Sequence, residues 1–201
     1  MSKEIDTEKF DQRMKRTKEV VDQKIAKATE ERGVTIVITG NGKGKTSSAY
    51  GTAFRALGYG KQVGLVQFCK GRQETGERLM LRKQSGVQFY EMGTGFTWES
   101  GDHAGQKAAA EGAWAEAKRI LQDPDIYLLV LDEITYMFRN KFLDLDEVVQ
   151  AIANRPLEQS VIITGRGCPQ TLTDLADTVS EIRDVKHAFR AGIKAREGIE
   201  F

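Results

Sequence analysis

A glycine-rich stretch with two lysines, ITGNGKGKTSSAYG at residues 38–51, has the residue types of a phosphate-binding loop. Such loops usually follow the pattern G-x-x-x-x-G-K-[ST], in which backbone N–H groups and a helix N-terminus bind the anion. Here only three residues separate Gly40 from Gly44 and Lys45, and Thr39 stands where the first glycine is expected. The stretch predicts a nucleoside triphosphate site with a loop of altered spacing; a plain glycine turn is the alternative.

Two residues of the loop have distinct predicted roles. Lys45 would neutralise phosphate charge, and the hydroxyl of Thr46 would bind Mg²⁺. A further cation, Arg166, lies between two glycines in TGRGC and would contact phosphate or substrate, with a surface salt bridge as the alternative. The predicted nucleotide contacts are Gly40, Asn41, Gly42, Lys43, Gly44, Lys45, Thr46, Ser47 and Arg166.

Two adjacent acidic residues, Asp132 and Glu133, end the apolar run IYLLVLDE. A carboxylate at the end of a buried strand beside a phosphate loop can hold Mg²⁺ or its water shell. Solvated strand caps are one alternative, and Glu133 as the base that activates water in an ATPase is another. We predict a metal site formed by Thr46, Asp132 and Glu133.

Two aromatic residues, Phe96 and Trp98, lie in the segment TGFTWE. Being two positions apart, they share one face if the segment is extended. Core packing is the commoner role for such side chains, but the surrounding glycines indicate a loop, so a substrate platform and core packing both remain open. Lys70, in QFCKG, follows another apolar run and has weaker support as a ligand contact.

These residues follow apolar runs that alternate with helical patterns after Gly33. Near-continuous apolar strands separated by helices indicate a parallel sheet covered on both faces, with ligands bound outside the carboxyl ends of the strands. The predicted strands are 34–39, 62–68, 87–92, 125–133, 160–165 and 178–183, and the predicted helices are 45–57, 102–122, 146–155 and 170–177. We predict an α/β domain over residues 33–201, with about six mostly parallel strands.

The segment before that domain, residues 3–32, is rich in charge and contains no glycine before Gly33 and no proline. Its apolar positions recur at spacings of four and three, which places them on one narrow helical stripe. The stripe consists of Phe10, Met14, Thr17, Val21, Ile25 and Ala28. We predict a helical arm over residues 1–32. It is either a solvated helix laid along its own domain, or an arm that docks on a partner subunit or closes over a site.

Composition excludes several other classes of protein. A formal charge of +1 in 201 residues creates no field that favours nucleic acid or a membrane. The start of the chain has no apolar signal segment, and no run approaches the ~20 residues of a membrane-spanning helix. Cys69 and Cys168 indicate buried thiols in a reducing, cytoplasmic compartment. His103 and His187 lack the spacing of a zinc site.

The chain resembles the ATP:corrinoid adenosyltransferases of the RecA-like P-loop type, which make adenosylcobalamin. The matching segments run from about residue 33 to the C-terminus and are TGNGKGKTS, GYGKQVGLVQFCKG, GVQFYEMGTGFTWE, VLDEITYM, VIITGRGC and DLADTVSEIRDVKHAF. Several of them are specific to this family rather than to P-loop proteins in general. The resemblance implies a RecA-like P-loop fold with helices on both faces of the sheet.

The resemblance also implies a reaction. ATP lies in the loop in the reverse of the usual direction, with the γ-phosphate where other loops place the α-phosphate. Cob(I)alamin or a related corrinoid attacks the 5′ carbon of the ribose and expels triphosphate. Because the cobalt nucleophile carries no proton, no general base is needed, and Glu133 is better interpreted as a ligand of Mg²⁺ or Mn²⁺.

Further implications concern the corrinoid and the partners. Phe96 and Trp98 would fill the lower face of the corrinoid and keep water and the nucleotide tail from cobalt, which makes reduction to cob(I)alamin easier. The electron would come from a reduced flavoprotein such as flavodoxin. The protein would be a homodimer whose N-terminal helix covers the active site.

Three rival functions share the same motifs. An ATP-hydrolysing motor or switch would use Asp132 and Glu133 equally well, and a kinase would transfer the γ-phosphate of ATP. A nucleotide-gated binding module would bind ATP without turnover. The products distinguish them, because adenosyl transfer releases triphosphate, hydrolysis or a kinase releases ADP, and a binding module releases nothing.

Overall fold

The computed structural model describes residues 7–69, 74–93 and 102–201. The chain divides into two compact units, Met1–Glu31 and Arg32–Phe201. In the first unit, helix α1 (Thr7–Lys27) ends short of the predicted arm boundary at residue 32. Its apolar stripe is exposed, with Phe10 52% and Ile25 66% accessible to solvent. Within the described residues, no helix combines the length and the apolar character needed to cross a membrane.

A six-stranded sheet forms the centre of the second unit. Its strands are β1 (Thr35–Thr39), β2 (Gln62–Gln67), β3 (Val87–Glu91), β4 (Ile126–Asp132), β5 (Ser160–Thr164) and β6 (Thr178–Glu181). All neighbouring strands are parallel, in the order β3-β2-β4-β5-β1-β6. The predicted fold class is confirmed, and each predicted strand is present within one or two residues of its expected ends.

Helices follow most of the strands. They are α2 (Lys45–Gly58), α3 (Gly76–Leu81), α4 (His103–Leu121), α5 (Thr135–Arg139), α6 (Leu145–Ala153) and α7 (Gln170–Leu175), with a 3₁₀-helix at Ala188–Ala191. The sequence analysis did not predict α3, α5 or the 3₁₀-helix, which are short and show little helical period; α7 is as short as α3 but was predicted from the longer pattern QTLTDLAD at 170–177. Local capping explains where two of the helices begin. Asp102 accepts a hydrogen bond from Gly105 N–H at the start of α4, and Asp144 accepts from Asp146 N–H at the start of α6.

Side chains alternate along each strand, so the sheet buries one apolar set on each face. On one face, α2 packs over a cluster that includes Ile38, Tyr50 and Leu65. The other face packs against α4 and α6, in a cluster that includes Val37 and Trp114. The helices therefore cover both faces of the sheet, as expected.

A glycine inside β2 allows α4 to approach the sheet closely. A Cβ on Gly64 would lie 2.4 Å from Ile120 Cγ2, which no ordinary packing accommodates. Small residues on α4, among them Ala113 and Ala117, are completely buried at the same face. This close contact packs α4 directly against the middle of the sheet.

Candidate nucleotide-binding site

The loop between β1 and α2 contains two glycines with left-handed backbone conformations. Gly40 has φ 98° and Gly44 has φ 111°, values that other residues rarely adopt. Gly44 also precedes the first residue of α2, so the loop turns directly into a helix N-terminus. The N–H groups of the first turn of a helix have no acceptors within the helix, which leaves them available to an anion.

The chain after β6 crosses this loop at van der Waals distance. Gly42 N–H donates to the Ile182 carbonyl oxygen at 2.7 Å. A Cβ on Gly40 would lie 2.4 Å from Ile182 O, and one on Gly42 would lie 2.6 Å from Arg183 O. The segment that follows β6 therefore requires glycine at both positions, and the N–H of Gly42 is already hydrogen-bonded.

Lys45 lies under the loop, where only 5% of it is exposed. Its Nζ donates to the Gly42 carbonyl oxygen at 2.9 Å. Burial lowers the pKa of Lys45, an effect that the carboxyl of Glu133 opposes and the guanidinium of Arg166 reinforces. An anion bound in the loop would stabilise the charged form of the Lys45 ammonium group.

The carboxyl group of Asp132 is buried at the end of β4 and receives four hydrogen bonds. Oδ1 accepts from the hydroxyls of Thr46 at 2.9 Å and Thr164 at 2.7 Å. Oδ2 accepts from Gln67 Nε2 at 3.2 Å and from Tyr50 OH at 3.4 Å. Burial raises the pKa of Asp132 although these donors favour its ionised form. The hydrogen bonds hold the carboxyl in place beside Thr46.

Glu133 follows Asp132 in a strained conformation, with φ 60°. Its N–H donates to Thr164 Oγ1 at 2.9 Å, which ties this backbone turn to β5. Burial and the neighbouring Asp132 raise the pKa of Glu133 to about 7, while Lys45 and Arg166 act in the opposite direction. Among the described residues, its buried Oε2 has no hydrogen-bond partner. Such a carboxyl group would be stabilised by a cation.

Arg166 is presented by a turn that only glycine permits. Gly165 has φ 146°, and a Cβ there would lie 2.0 Å from Thr135 Oγ1. The same hydroxyl donates to the Arg166 carbonyl oxygen at 2.8 Å and so fixes the turn against α5. The guanidinium is exposed and lies on the cavity that contains Lys45.

Most of the predicted site residues line one cavity of about 580 Å³. Its size is in the range of small-molecule sites in proteins. Of the residues predicted from the sequence, Gly42, Lys43, Gly44, Lys45, Thr46, Ser47, Asp132, Glu133 and Arg166 line it. Gly40 and Asn41 are not among its lining residues, and Gly40 acts through the turn described above. Phe96, Trp98 and Lys70 lie outside the described residues.

The cavity is also lined by residues that the sequence analysis did not predict. Tyr136, in the first turn of α5, and Asn140, just after that helix, line it, as do Gln67 and Cys69 at the end of β2. The segment Gly198–Phe201 closes another side. Gln67 could have been found as a polar residue at the end of an apolar strand, whereas nothing local in the sequence connects the last residues to the loop.

The remaining sequence expectations concern the thiols and the histidines. Cys69 and Cys168 are only partly buried, which corrects the expectation of buried thiols. Burial still raises the pKa of Cys69 to about 12 and that of Cys168 to about 11. His187 Nδ1 accepts from Phe189 N–H at 3.2 Å, a local cap of the 3₁₀-helix. Among the described residues, no group of three or more His, Cys, Asp or Glu side chains is placed to hold a metal ion.

A parallel sheet, a glycine loop that leads into a helix, a buried lysine and an acid at the end of β4 together define a P-loop nucleotide-binding protein. The comparisons with known proteins give its family. Residues 31–201 match the family model of the ATP:corrinoid adenosyltransferases BtuR/CobO/CobP. The chain therefore belongs to the ATP:corrinoid adenosyltransferase family. This confirms the enzyme class expected from the sequence, with ATP and a corrinoid as substrates.

Individual relatives agree with the family model. The chain is 53% identical to the corrinoid adenosyltransferase of Escherichia coli (strain K12) over 96% of this chain and 98% of that protein. It is 51% identical to the corrinoid adenosyltransferase of Pseudomonas aeruginosa over 94% of each. A solved structure, the flagellar accessory protein FlaH of Methanocaldococcus jannaschii, matches with 14% identity and a TM-score of 0.48, over 76% of this chain and 71% of that one.

Proposed function

We propose that this enzyme transfers the 5′-deoxyadenosyl group of ATP to the cobalt of cob(I)alamin or a related corrinoid and releases triphosphate, in the biosynthesis or salvage of adenosylcobalamin. The observation that carries the proposal is the convergence of Lys45, Thr46, Asp132 and Glu133 on one cavity in a member of this family. These groups suit the binding and stabilisation of a polyphosphate.

In the proposed reaction, the electron pair of cobalt(I) attacks the 5′ carbon. The cobalt–carbon bond forms as the carbon–oxygen bond breaks, and triphosphate leaves with the bonding electrons. Charge accumulates on the leaving oxygen, so the useful groups are those that stabilise an anion in the transition state. Lys45, the backbone N–H groups at the start of α2 and Arg166 are proposed to do this, since Lys45 and Arg166 both line the cavity.

ATP is proposed to lie in the loop in the reversed direction that the resemblance implies. The crossing of the loop by Ile182 and Arg183 supports an unusual placement of the phosphates, because it removes the Gly42 N–H from the set that can bind them. The reversed direction would bring the ribose 5′ carbon, rather than the γ-phosphorus, towards the acceptor.

The acid pair fits a divalent cation, Mg²⁺ or Mn²⁺. Thr46 Oγ1 donates to Asp132 Oδ1, and the buried Oε2 of Glu133 has no hydrogen-bond partner among the described residues, so a cation could bind it. Thr46, Asp132 and Glu133 would hold the ion directly or through its water shell, with phosphate oxygens and waters as the remaining ligands. Such an ion, when bound, neutralises charge on the triphosphate.

Other parts of the proposal rest on the sequence and the family. Phe96 and Trp98 are proposed to cover the lower face of the corrinoid and keep cobalt four-coordinate. A reduced flavoprotein such as flavodoxin is proposed as the electron donor, and a homodimer in the cytoplasm as the working form. The exposed stripe on α1, which includes Phe10 and Ile25, suits an arm that docks on a subunit or covers the site.

Product analysis tests the reaction directly. The enzyme is incubated with ATP, Mg²⁺ and chemically reduced cob(I)alamin, and the phosphate products are separated by anion-exchange chromatography. Triphosphate in equal amount to adenosylcobalamin is expected. ADP would instead support hydrolysis or phosphoryl transfer, for which Glu133, with a pKa of about 7, is a chemically able base.

A further inference from the structure

A buried glutamine at the end of β2 faces the same carboxyl group as the loop threonine. Gln67 is opposite Asp132 in the register of β2 and β4, and only 8% of it is exposed. It lines the nucleotide cavity together with Thr46, Asp132 and Glu133. The proposed reaction as described so far gives this residue no role.

The orientation of its amide follows from its neighbour. Gln67 Nε2 donates to Asp132 Oδ2 at 3.2 Å, and an ionised carboxyl group can only accept. The opposite orientation would set two acceptor oxygens against each other. The carbonyl Oε1 therefore points away from Asp132, and it is buried without a hydrogen-bond donor among the described residues. A buried carbonyl without a donor is destabilising, so a ligand that donates to it would be favoured.

The chemistry of the site limits what that donor can be. The carboxyl oxygen of Asp132 that faces Gln67 and the phosphate oxygens of a nucleotide are acceptors. The donors that a metal–nucleotide complex would bring are a water molecule, a ribose hydroxyl or the adenine amino group. Thr46 donates to Oδ1 of Asp132 and Gln67 donates to Oδ2. Gln67 is therefore linked through this carboxyl group to Thr46, a proposed metal ligand. A water polarised by the cation is the donor that this arrangement favours.

We propose that Gln67 is a positioning residue with two functions. Its Nε2 holds Asp132 in place, and its Oε1 accepts a hydrogen bond from a water of the metal–triphosphate complex. The inference rests on the proposed function only in assuming a metal–nucleotide complex in this cavity, and it does not depend on which bond of ATP is broken.

The test measures metal binding rather than turnover. Mn²⁺ is titrated into the full-length enzyme and followed by the electron paramagnetic resonance signal of the free ion, once with ATP and once with inorganic triphosphate. Gln67→Met preserves the length of the side chain and removes both hydrogen bonds. We expect the Mn²⁺ dissociation constants of both complexes to rise about tenfold. Gln67→Asn, whose shorter amide cannot reach both partners, is expected to act in the same direction.

Gln159→Met is the matched control. Gln159 is also a buried glutamine whose Oε1 has no partner in the described part of the chain. Its Nε2 donates to the carbonyl oxygens of Ile120, Asp123 and Ile126, away from the cavity. This variant should lower the melting temperature and leave the affinity for Mn²⁺ unchanged.

Two results would overturn the inference. Unchanged Mn²⁺ affinity in the folded Gln67 variants would mean that the glutamine only packs the site. Weaker binding with ATP but not with triphosphate would assign the donor to the nucleoside instead of a metal-bound water. Neither result bears on the product assay, so this inference and the proposed reaction fail separately.

Discussion

Single residues at the ends of the strands are proposed to carry the chemistry of this enzyme, and their environments determine what they can do. Lys45 is buried beneath the loop with a lowered pKa, and Glu133 has its pKa raised to about 7 by burial and by Asp132. Opposite charges in a cavity of low polarity interact strongly, and each is stabilised by the other or by a bound ion. A bound nucleotide and cation would therefore change the charge state of the whole site.

Substitution of Lys45 tests its role towards the leaving group. We expect Lys45→Met to lower the rate of adenosyl transfer at least about a hundredfold, or about 3 kcal/mol, because triphosphate loses its nearest cation in the transition state. Single-turnover kinetics with cob(I)alamin measures this step. Lys61→Met is the control, since Lys61 Nζ lies over the ring of Tyr127 and outside the cavity. A folded Lys45→Met enzyme with near-normal rates would contradict the assignment.

The two aromatic residues are expected to act on reduction instead of transfer. In Phe96→Ala and Trp98→Ala, water or the nucleotide tail could return to cobalt, so the fraction of four-coordinate cob(II)alamin should fall. Activity driven by a flavoprotein donor should fall with it, while activity with cob(I)alamin made chemically beforehand should largely survive. Absorption and magnetic spectra of the cob(II)alamin complex with ATP report the coordination. Equal losses under both regimes, with unchanged spectra, would show that the aromatics only pack the site.

At the scale of elements, β1 leads into the phosphate loop at one end and is anchored at its other end by Asp177. Asp177, just before β6, accepts from Thr35 N–H at 2.8 Å and from Arg32 at 2.6 Å and 3.0 Å. These contacts join the starts of β1 and β6, whose other ends hold Gly40 and Ile182 against each other. The Arg32 guanidinium and the Thr35 N–H lower the pKa of Asp177 to about 2.

This carboxyl group gives stability a predictable dependence on pH. Its folded pKa lies below the ordinary value of 3.8, so its contribution is fully present above about pH 4 and is lost as the pH falls towards 2. Asp177→Asn retains an acceptor for Thr35 but loses the charge. We expect it to destabilise the protein by up to about 1 kcal/mol at pH 7, because the pair is partly exposed. Urea unfolding at pH 7, 5 and 3 measures the free energy of unfolding of both proteins. The difference between the variant and the wild type should be smaller at pH 3 than at pH 7, and a constant difference would contradict this account.

At the scale of the whole second unit, the last residues of the chain lie beside the phosphate loop. Glu200 forms an ion pair with Lys43, 157 residues away in sequence, and Gly198–Phe201 line the cavity. Lys43 was predicted to contact the nucleotide, but in this structure its ammonium group is paired with the carboxyl group of Glu200. A triphosphate and Glu200 would compete for the same ammonium group.

Removal of that competing charge should strengthen nucleotide binding. We expect Glu200→Gln to lower the dissociation constant of ATP severalfold, with the gain shrinking at high salt because the pair is partly exposed. Calorimetric titration at two ionic strengths measures it. Glu197→Gln is a control of the same charge change, since Glu197 is exposed and does not line the cavity. Weaker ATP binding in Glu200→Gln would mean that the ion pair supports the site rather than competing with the ligand.

The N-terminal arm can be tested by deletion at the boundary between the two units. Removal of residues 1–31 retains Arg32 and its ion pair with Asp177. We expect a folded core that binds ATP with unchanged affinity and captures the corrinoid more weakly, as a lid would require. Thermal unfolding without ligands separates this from a structural role, since a large drop in melting temperature would assign the stripe on α1 to stability.

Much of the architecture could be predicted because it rests on local patterns. The β-branched run TIVIT becomes β1, IYLLVLD becomes β4, and the glycine loop between strand and helix is where its spacing indicated. Asp132 could be predicted as a site residue because an acid at the end of a buried strand is unusual. Helices α3 and α5 were not predicted, because their five or six residues show little helical period and, unlike α7, lie in no longer helical pattern.

By itself, the sequence determined the α/β class, the phosphate loop and its lysine, the acid pair and the resemblance to the family, because each depends on residue types at short spacing. Only the tertiary structure decided which backbone crosses the loop, that Gln67 shares Asp132 with Thr46, and that Glu200 reaches Lys43. These contacts join residues tens to more than a hundred positions apart. They arise from the strand order of the sheet, which short-range patterns along the chain do not contain.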